Sequence, residues 1–330
     1  MTISRPWHGT PLTRLGLGAS QFGNLNRTTT DEASAEAVDA AWNAGVRYFD
    51  TAPHYGLGLS ERRLGAALRG RDRDEFVLST KVGRLLVPSP ETADRLDDEG
   101  FVVPADHRRV WDFSRDGIFR SLEQSLERLG VDRIDVVYLH DPDDHWAEAS
   151  TTGIGALIEL REQGVIGAVG AGMNQSALLA DLVRRSDVDL VMVAGRWTLL
   201  DQSAANDLLP VAHERGVRVV AAGVYNSGIL AAPTVPSGAR YDYGTAPAQL
   251  VERARQIAAR CERYGVTLPD AAVQFPLRDP AVASVVVGTR TAAHVASLLA
   301  RFNAAVPDEL WTDLVRAGLL HPTSVEPRNE

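Results

Sequence analysis

With one cysteine, Cys261, in 330 residues, no internal disulfide can brace the fold. Cys261 lies in the amphipathic run "VERARQIAARCERYG" and reads as a small buried hydrophobe. Basic charge is also scarce: 34 Lys and Arg against 43 Asp and Glu give a net charge of -9. Without a clustered Lys/Arg stripe, this excludes a phosphate backbone as partner. No long apolar run is present. The start "MTISRPWHGTPL" has no signal-peptide core, and the weakly charged stretch "QGVIGAVGAGMNQSALLA" is broken by Gly, Asn and Gln. These absences predict a cytoplasmic protein that needs no membrane. No His-x-His pair occurs, and the scattered His140, His145 and His213 argue against a metal-dependent hydrolase. The glycines of "GAVGAG" do not spell the dinucleotide fingerprint, and no acidic partner follows at the required distance, which argues against a Rossmann dehydrogenase. No Pro/Gly/Ser-rich linker divides the chain, so one domain over residues 1–330 is expected.

What is present is a core-forming pattern, with 45% hydrophobic and 23% charged residues. Eight short, β-branched apolar runs alternate with helical periodicity: "RLGLG", "VRYFD", "FVLSTK", "IDVVYLH", "IGAVGAG", "VDLVMVA", "VRVVAAG" and "ASVVVG". Several intervening helices close on a glycine. Continuous apolar strands joined by helices predict a parallel sheet covered on both faces, and the count predicts a single (β/α)8 TIM barrel. Two connectors exceed ordinary loops: "GRLLVPSPETADRLDDEGFVVPADHRRVWDFSRD" after the third strand and "GVYNSGILAAPTVPSGARYDYGTAP" after the seventh. Both follow strands and so belong to the C-terminal face, where barrel active sites form.

Polar residues stand at the same strand ends. Asp50 closes the second strand, Lys81 the third and His140 the fourth, with Tyr55 in the loop after the second. Singly, each has an ordinary structural reading as a cap, a packing ring or a solvated amine. Jointly they form a unit, because a Lys inside an apolar strand must be paired and Asp50 is the available partner. An ammonium beside a phenol favours its ionised form, so Lys81 is expected to lower the pKa of Tyr55 while His140 bonds the same substrate oxygen.

The segments "FDTAPHYGLGLSERRLG", "STKVGR", "DRIDVVYLHD", "GAGMNQ", "GRWTLLDQSA", "GVYNSGIL" and "VVVGTRT" resemble the aldo-keto reductase superfamily from about Leu15 to Phe302. The details "VGRLLVP", "FVVPADHRRVWDFSRDG" and "LLDQSA" are most similar to its bacterial D-threo-aldose 1-dehydrogenase and L-fucose dehydrogenase group, which also contains pyridoxal 4-dehydrogenases. The resemblance implies that Asp50, Tyr55, Lys81 and His140 are the catalytic tetrad and that a nicotinamide cofactor lies across the mouth. Asn174 would hold its carboxamide. Met173 replaces a family serine, and Ala194 stands where a glutamine is usual. Trp197 would stack on the nicotinamide ring.

Tyr225, Ser227, Gly228, Gly288, Thr289 and Arg290 would cradle the diphosphate. His294 replaces the basic residue of NADP-preferring relatives, so NAD is expected, with NADP possible through Arg290. Gln21, Phe22, Trp111, Asp141 and the two long loops would meet the substrate. The implied activity is oxidation of an aldose of L-fucose, D-arabinose or L-galactose type to its lactone. Pyridoxal 4-dehydrogenation, general aldehyde or ketone reduction, and a non-catalytic nicotinamide-binding sensor are the alternatives. A monomer or weak homo-oligomer is expected.

Overall fold

In a computed structural model, the structure describes residues 12–242 and 244–325. The expectations for the N-terminal eleven residues and for the full 1–330 extent reach outside these. Strands β1 Leu15–Gly18, β2 Tyr48–Asp50 and β3 Val77–Val82 are followed by an antiparallel pair, β4 Arg84–Pro88 and β5 His107–Trp111. Then come β6 Ile134–His140, β7 Ile166–Met173, β8 Leu190–Ala194 and β9 Arg218–Ala222. A second small pair, β10 Arg240–Tyr241 and β11 Gly244–Thr245, precedes β12 Val282–Gly288. Eight strands close in the order β1-β12-β9-β8-β7-β6-β3-β2. They are the eight predicted apolar runs, and every barrel pairing is parallel. The two long connectors fold into the two hairpins, whose strands were expected as loop.

The helices outside the barrel begin and end where local chemistry allows. The Thr30 hydroxyl accepts from the Ala33 N–H to cap Asp31–Asn43. Ser114 caps Arg115–Leu129 from the Gly117 N–H, and Gly130 ends that helix at φ 66°, a left-handed conformation suited to glycine. Among the described residues, no helix is long and apolar enough to cross a membrane.

Strand alternation determines what enters the barrel. Tyr48, Val77, Val136, Tyr138, Ala168, Leu190, Met192 and Val220 share one interior cluster, separate from the larger core beneath the helices. Side chains two residues apart share a face. Tyr48 therefore carries Asp50 inward, Val77 carries Ser79 and Lys81, and Val136 carries Tyr138 and His140. Pairing of Asp50 with Ser79 and of Lys81 with Tyr138 places these polar ends in the last layers of the C-terminal rim.

Candidate active site

Lys81 is 2% exposed, and its ammonium donates to Asp50 Oδ2 at 2.7 Å and to the Thr51 carbonyl at 2.9 Å. It also lies 4.9 Å from the Tyr55 ring centroid. Tyr55 and His140 meet edge to face with centroids 5.8 Å apart. The four predicted residues therefore come together at one end of the barrel. Tyr55 is held by its backbone: Gly56 sits at φ 64°, and a Cβ there would lie 2.2 Å from the Gly23 carbonyl oxygen. The first and second βα loops can touch only because both residues are glycine. Asp50 has a further support that the sequence reading missed. Ser79 donates its one proton to Asp50 Oδ1 at 2.7 Å, and its oxygen faces the Tyr48 hydroxyl at 3.1 Å, which in turn meets that of Tyr138 at 3.1 Å. Its signal was the polar residues at inward positions of otherwise apolar strands.

Electrostatics correct one expectation. Burial pushes the Tyr55 phenol above its ordinary pKa, and Lys81 only opposes that rise. The lysine moderates the phenol without overcoming the loss of water. Burial lowers Lys81, but attraction to Asp50 and Tyr55 more than reverses this, so the amine stays protonated. Burial, followed by the charges of Arg84 and Lys81, drives His140 well below its ordinary value, so its imidazole is neutral. Its Nε2 faces Asp141 Oδ2 at 3.5 Å, while Nδ1 is buried without a partner. That environment assigns the proton to Nε2, leaving the less costly orphan, a lone pair, at Nδ1.

A rim of charge surrounds this centre. Arg84 donates to Asp141 at 2.6 Å, approaches His54 Nδ1 at 3.3 Å and stacks 4.3 Å from the Trp111 ring. Arg109, on the long connector, donates twice to Asp97 and to the His54 carbonyl at 3.0 Å. Phe101 from the same connector packs against His54 and Tyr55, with centroids 5.2 and 6.2 Å away. Of the predicted substrate residues, Trp111 and Asp141 lie on this rim, and Gln21 packs beside Gly288. Phe22 does not reach the mouth. It is 0% exposed and packs in the larger core cluster, within the 3-10 turn Ser20–Gly23. His54, Arg84 and Arg109 were missed, since sequence does not show which loop an arginine reaches across.

The opposite side of the mouth fits an anion-bearing cofactor. Thr289 is 2% exposed, and its hydroxyl is buried without a partner. The 11-residue helix Ala292–Phe302 starts next to it, offering first-turn N–H groups that lack intrahelical acceptors. Ser227 and Gly228 expose backbone at positive φ of 56° and 96°, Gly288 is exposed, and Asn174 directly follows β7. Tyr225 faces Arg301, and His294 is exposed in the first turn of that helix.

Two predicted cofactor residues are engaged elsewhere. Trp197 is 1% exposed, donates to the Pro276 carbonyl at 3.0 Å and packs on Phe275, so its ring is part of the core and is not free to stack on a ligand. Arg290 is spent on the first loop, donating to the carbonyls of Leu25 at 2.7 Å and Arg27 at 2.8 Å and to the Thr29 hydroxyl. These bonds hold the guanidinium against the first loop and remove Arg290 as a phosphate ligand.

Residues 14–318 match the family model described as "Aldo/keto reductase family". The chain is 48% identical over 315 residues to D-threo-aldose 1-dehydrogenase of Pseudomonas sp, covering 94% of this chain and 96% of that protein. It is 38% identical over 330 residues to pyridoxal 4-dehydrogenase of Microbacterium luteolum, with the same coverage of 94% and 96%. Among solved structures, an aldo-keto reductase from Bacillus halodurans in its holo form superposes with a TM-score of 0.74 over 99% of this chain and 100% of that one, at 24% identity.

Proposed function

The chain belongs to the aldo/keto reductase family, and from that premise we propose that it oxidises a free aldose of L-fucose, D-arabinose or L-galactose type at the anomeric carbon, with NAD as acceptor. It is an oxidoreductase acting on CH–OH groups, and aldo-keto reductases use nicotinamide cofactors. The near full-length 48% identity to an aldose 1-dehydrogenase carries the choice of substrate. We take residues 1–330 as one barrel domain of a cytoplasmic protein that is a monomer or weak homo-oligomer.

In this reading, Asp50 and the Thr51 carbonyl hold the Lys81 ammonium beside Tyr55. His140 donates from Nε2 to the sugar's anomeric oxygen and fixes the carbon that reacts. Tyr55, reacting as the phenolate that the Lys81 ammonium favours, takes the hydroxyl proton as the C1 hydrogen leaves as hydride and the C1–O bond gains its second bond, giving the lactone. Bound nicotinamide supplies the hydride acceptor. Ser227, Gly228, Gly288, Thr289 and the following helix N-terminus are the groups that would hold its diphosphate, with Asn174 on the carboxamide.

The engagement of Arg290 supports NAD over NADP, since His294, exposed in the first turn of the following helix, is a poorer partner for a 2'-phosphate than an arginine. One missing charge-assisted bond, worth about 1.5–3 kcal/mol, predicts at least about tenfold lower kcat/KM with NADP.

The 38% identity to a pyridoxal 4-dehydrogenase supports a second reading, in which the same proton path serves an aromatic alcohol. Reduced-nicotinamide absorbance with NAD or NADP against L-fucose, D-arabinose, L-galactose and pyridoxal separates the two. Turnover with a sugar supports the first. Turnover confined to pyridoxal replaces it with the second.

A further inference from the structure

Three side chains of the rim stand beside the proton path without carrying the proton. Asp141 is a non-glycine residue at φ 40°, a left-handed conformation that carries strain and is retained where surrounding contacts impose it. Here the conformation keeps its carboxylate, 39% exposed, beside His140 Nε2 and bonded to Arg84. Arg84 approaches His54 Nδ1 with a second N–H, which makes Nδ1 the acceptor and puts the His54 proton on Nε2. Among the described residues no partner is placed on that Nε2, and the side chain keeps 14% exposure. An acceptor and a donor, locked together by one guanidinium, therefore flank the reacting centre.

We propose that Asp141 and His54, coupled through Arg84, read the hydroxyl on the carbon next to the anomeric one and restrict the site to uncharged aldoses; this rests on the aldose reading above. A sugar hydroxyl both donates and accepts. It donates to the Asp141 carboxylate and accepts from His54 Nε2–H, one bond along from the oxygen held by His140 and Tyr55.

Charge supports the restriction. Lys81, Arg84 and Arg109 are each paired with a carboxylate, on Asp50, Asp141 and Asp97 respectively. Glu99, 49% exposed, lies 3.9 Å from His54. Burial together with Arg84, Arg109 and Lys81 pushes the His54 imidazole down to about 2, so it adds no charge at working pH. A phosphate ester would meet carboxylates beside cations that are already paired.

The test compares D-arabinose, 2-deoxy-D-ribose (D-arabinose without its C2 hydroxyl) and D-arabinose 5-phosphate, with NAD, on the full chain and on Asp141→Asn and His54→Phe. Asn suits a left-handed position, so the first variant keeps the backbone, and NADH binding with thermal unfolding checks both. A site built to bond a hydroxyl rejects the analogue lacking it, so the unaltered enzyme should prefer D-arabinose over 2-deoxy-D-ribose by about 100-fold or more in kcat/KM. The phosphate ester should be poorer still. Each variant should lose about 100-fold on D-arabinose and under about fivefold on the deoxy sugar, so that discrimination collapses. Equal losses on both sugars, or efficient turnover of the phosphate ester, would overturn the proposal and leave aldose oxidation standing. No oxidation of any sugar while pyridoxal turns over would overturn both.

Discussion

Lys81 is the chain's only lysine among 34 basic side chains, and it is buried against Asp50. A sequence that uses arginine everywhere else keeps an ammonium at one place, where a compact charge must sit beside a phenol. Because burial raises the Tyr55 pKa and Lys81 opposes that rise, removing the amine moves ionisation further up the pH scale. Lys81→Met is therefore expected to shift the rising limb of the sugar-oxidation pH profile upward by at least about one unit and to cost about 100-fold in kcat. The profile would be measured with saturating NAD, and a limb that stays in place would remove the tuning role. Asp50, Lys81 and His140 were legible in sequence because each is a polar residue at or next to the end of a continuous apolar strand run. Phe22, Trp197 and Arg290 were misread for one shared reason. Each lies at or beyond a strand end, where no periodicity tells a side chain which way to point, and each found core or loop-carbonyl partners that a linear reading does not contain.

At the scale of elements, the eight barrel strands were readable because burial on both faces makes each a continuous apolar run. The connector after β3 was read as loop, yet it folds into the hairpin of Arg84–Pro88 and His107–Trp111. Its strands lie about twenty residues apart and bear charged residues, so neither alternation nor a turn signal announced the pairing. The connector is fastened at Arg109, whose side chain is 8% exposed and whose partner Asp97 is 3% exposed. Removing one member of a buried pair strands the other charge, so Arg109→Met should lower unfolding free energy by about 3 kcal/mol. KM for the sugar should rise as Phe101 loses its seat beside Tyr55. Urea unfolding and initial rates check this together. A loss under about 0.5 kcal/mol, as for an exposed pair, would show that the connector is held elsewhere.

Across the whole molecule, the acidic balance, the closed parallel barrel and the paired charges at its mouth fit the small neutral sugar and nicotinamide cofactor proposed above. Fold and polar centre could be foreseen because strand period and barrel closure are repeated constraints. The identity of the proposed sugar could not, because its recognition would depend on single contacts between segments distant in sequence, as between Arg84 and Asp141. The most direct measurement follows reduced-nicotinamide absorbance after D-arabinose and NAD are mixed with the unaltered chain and with Tyr55→Phe, while NADH binding is monitored in parallel. The expected result is lactone-forming turnover by the unaltered chain and a loss of about 1,000-fold or more in Tyr55→Phe with NADH affinity unchanged. Undiminished turnover in Tyr55→Phe would contradict the proton path, and no turnover of any aldose by the unaltered chain would contradict the proposed function.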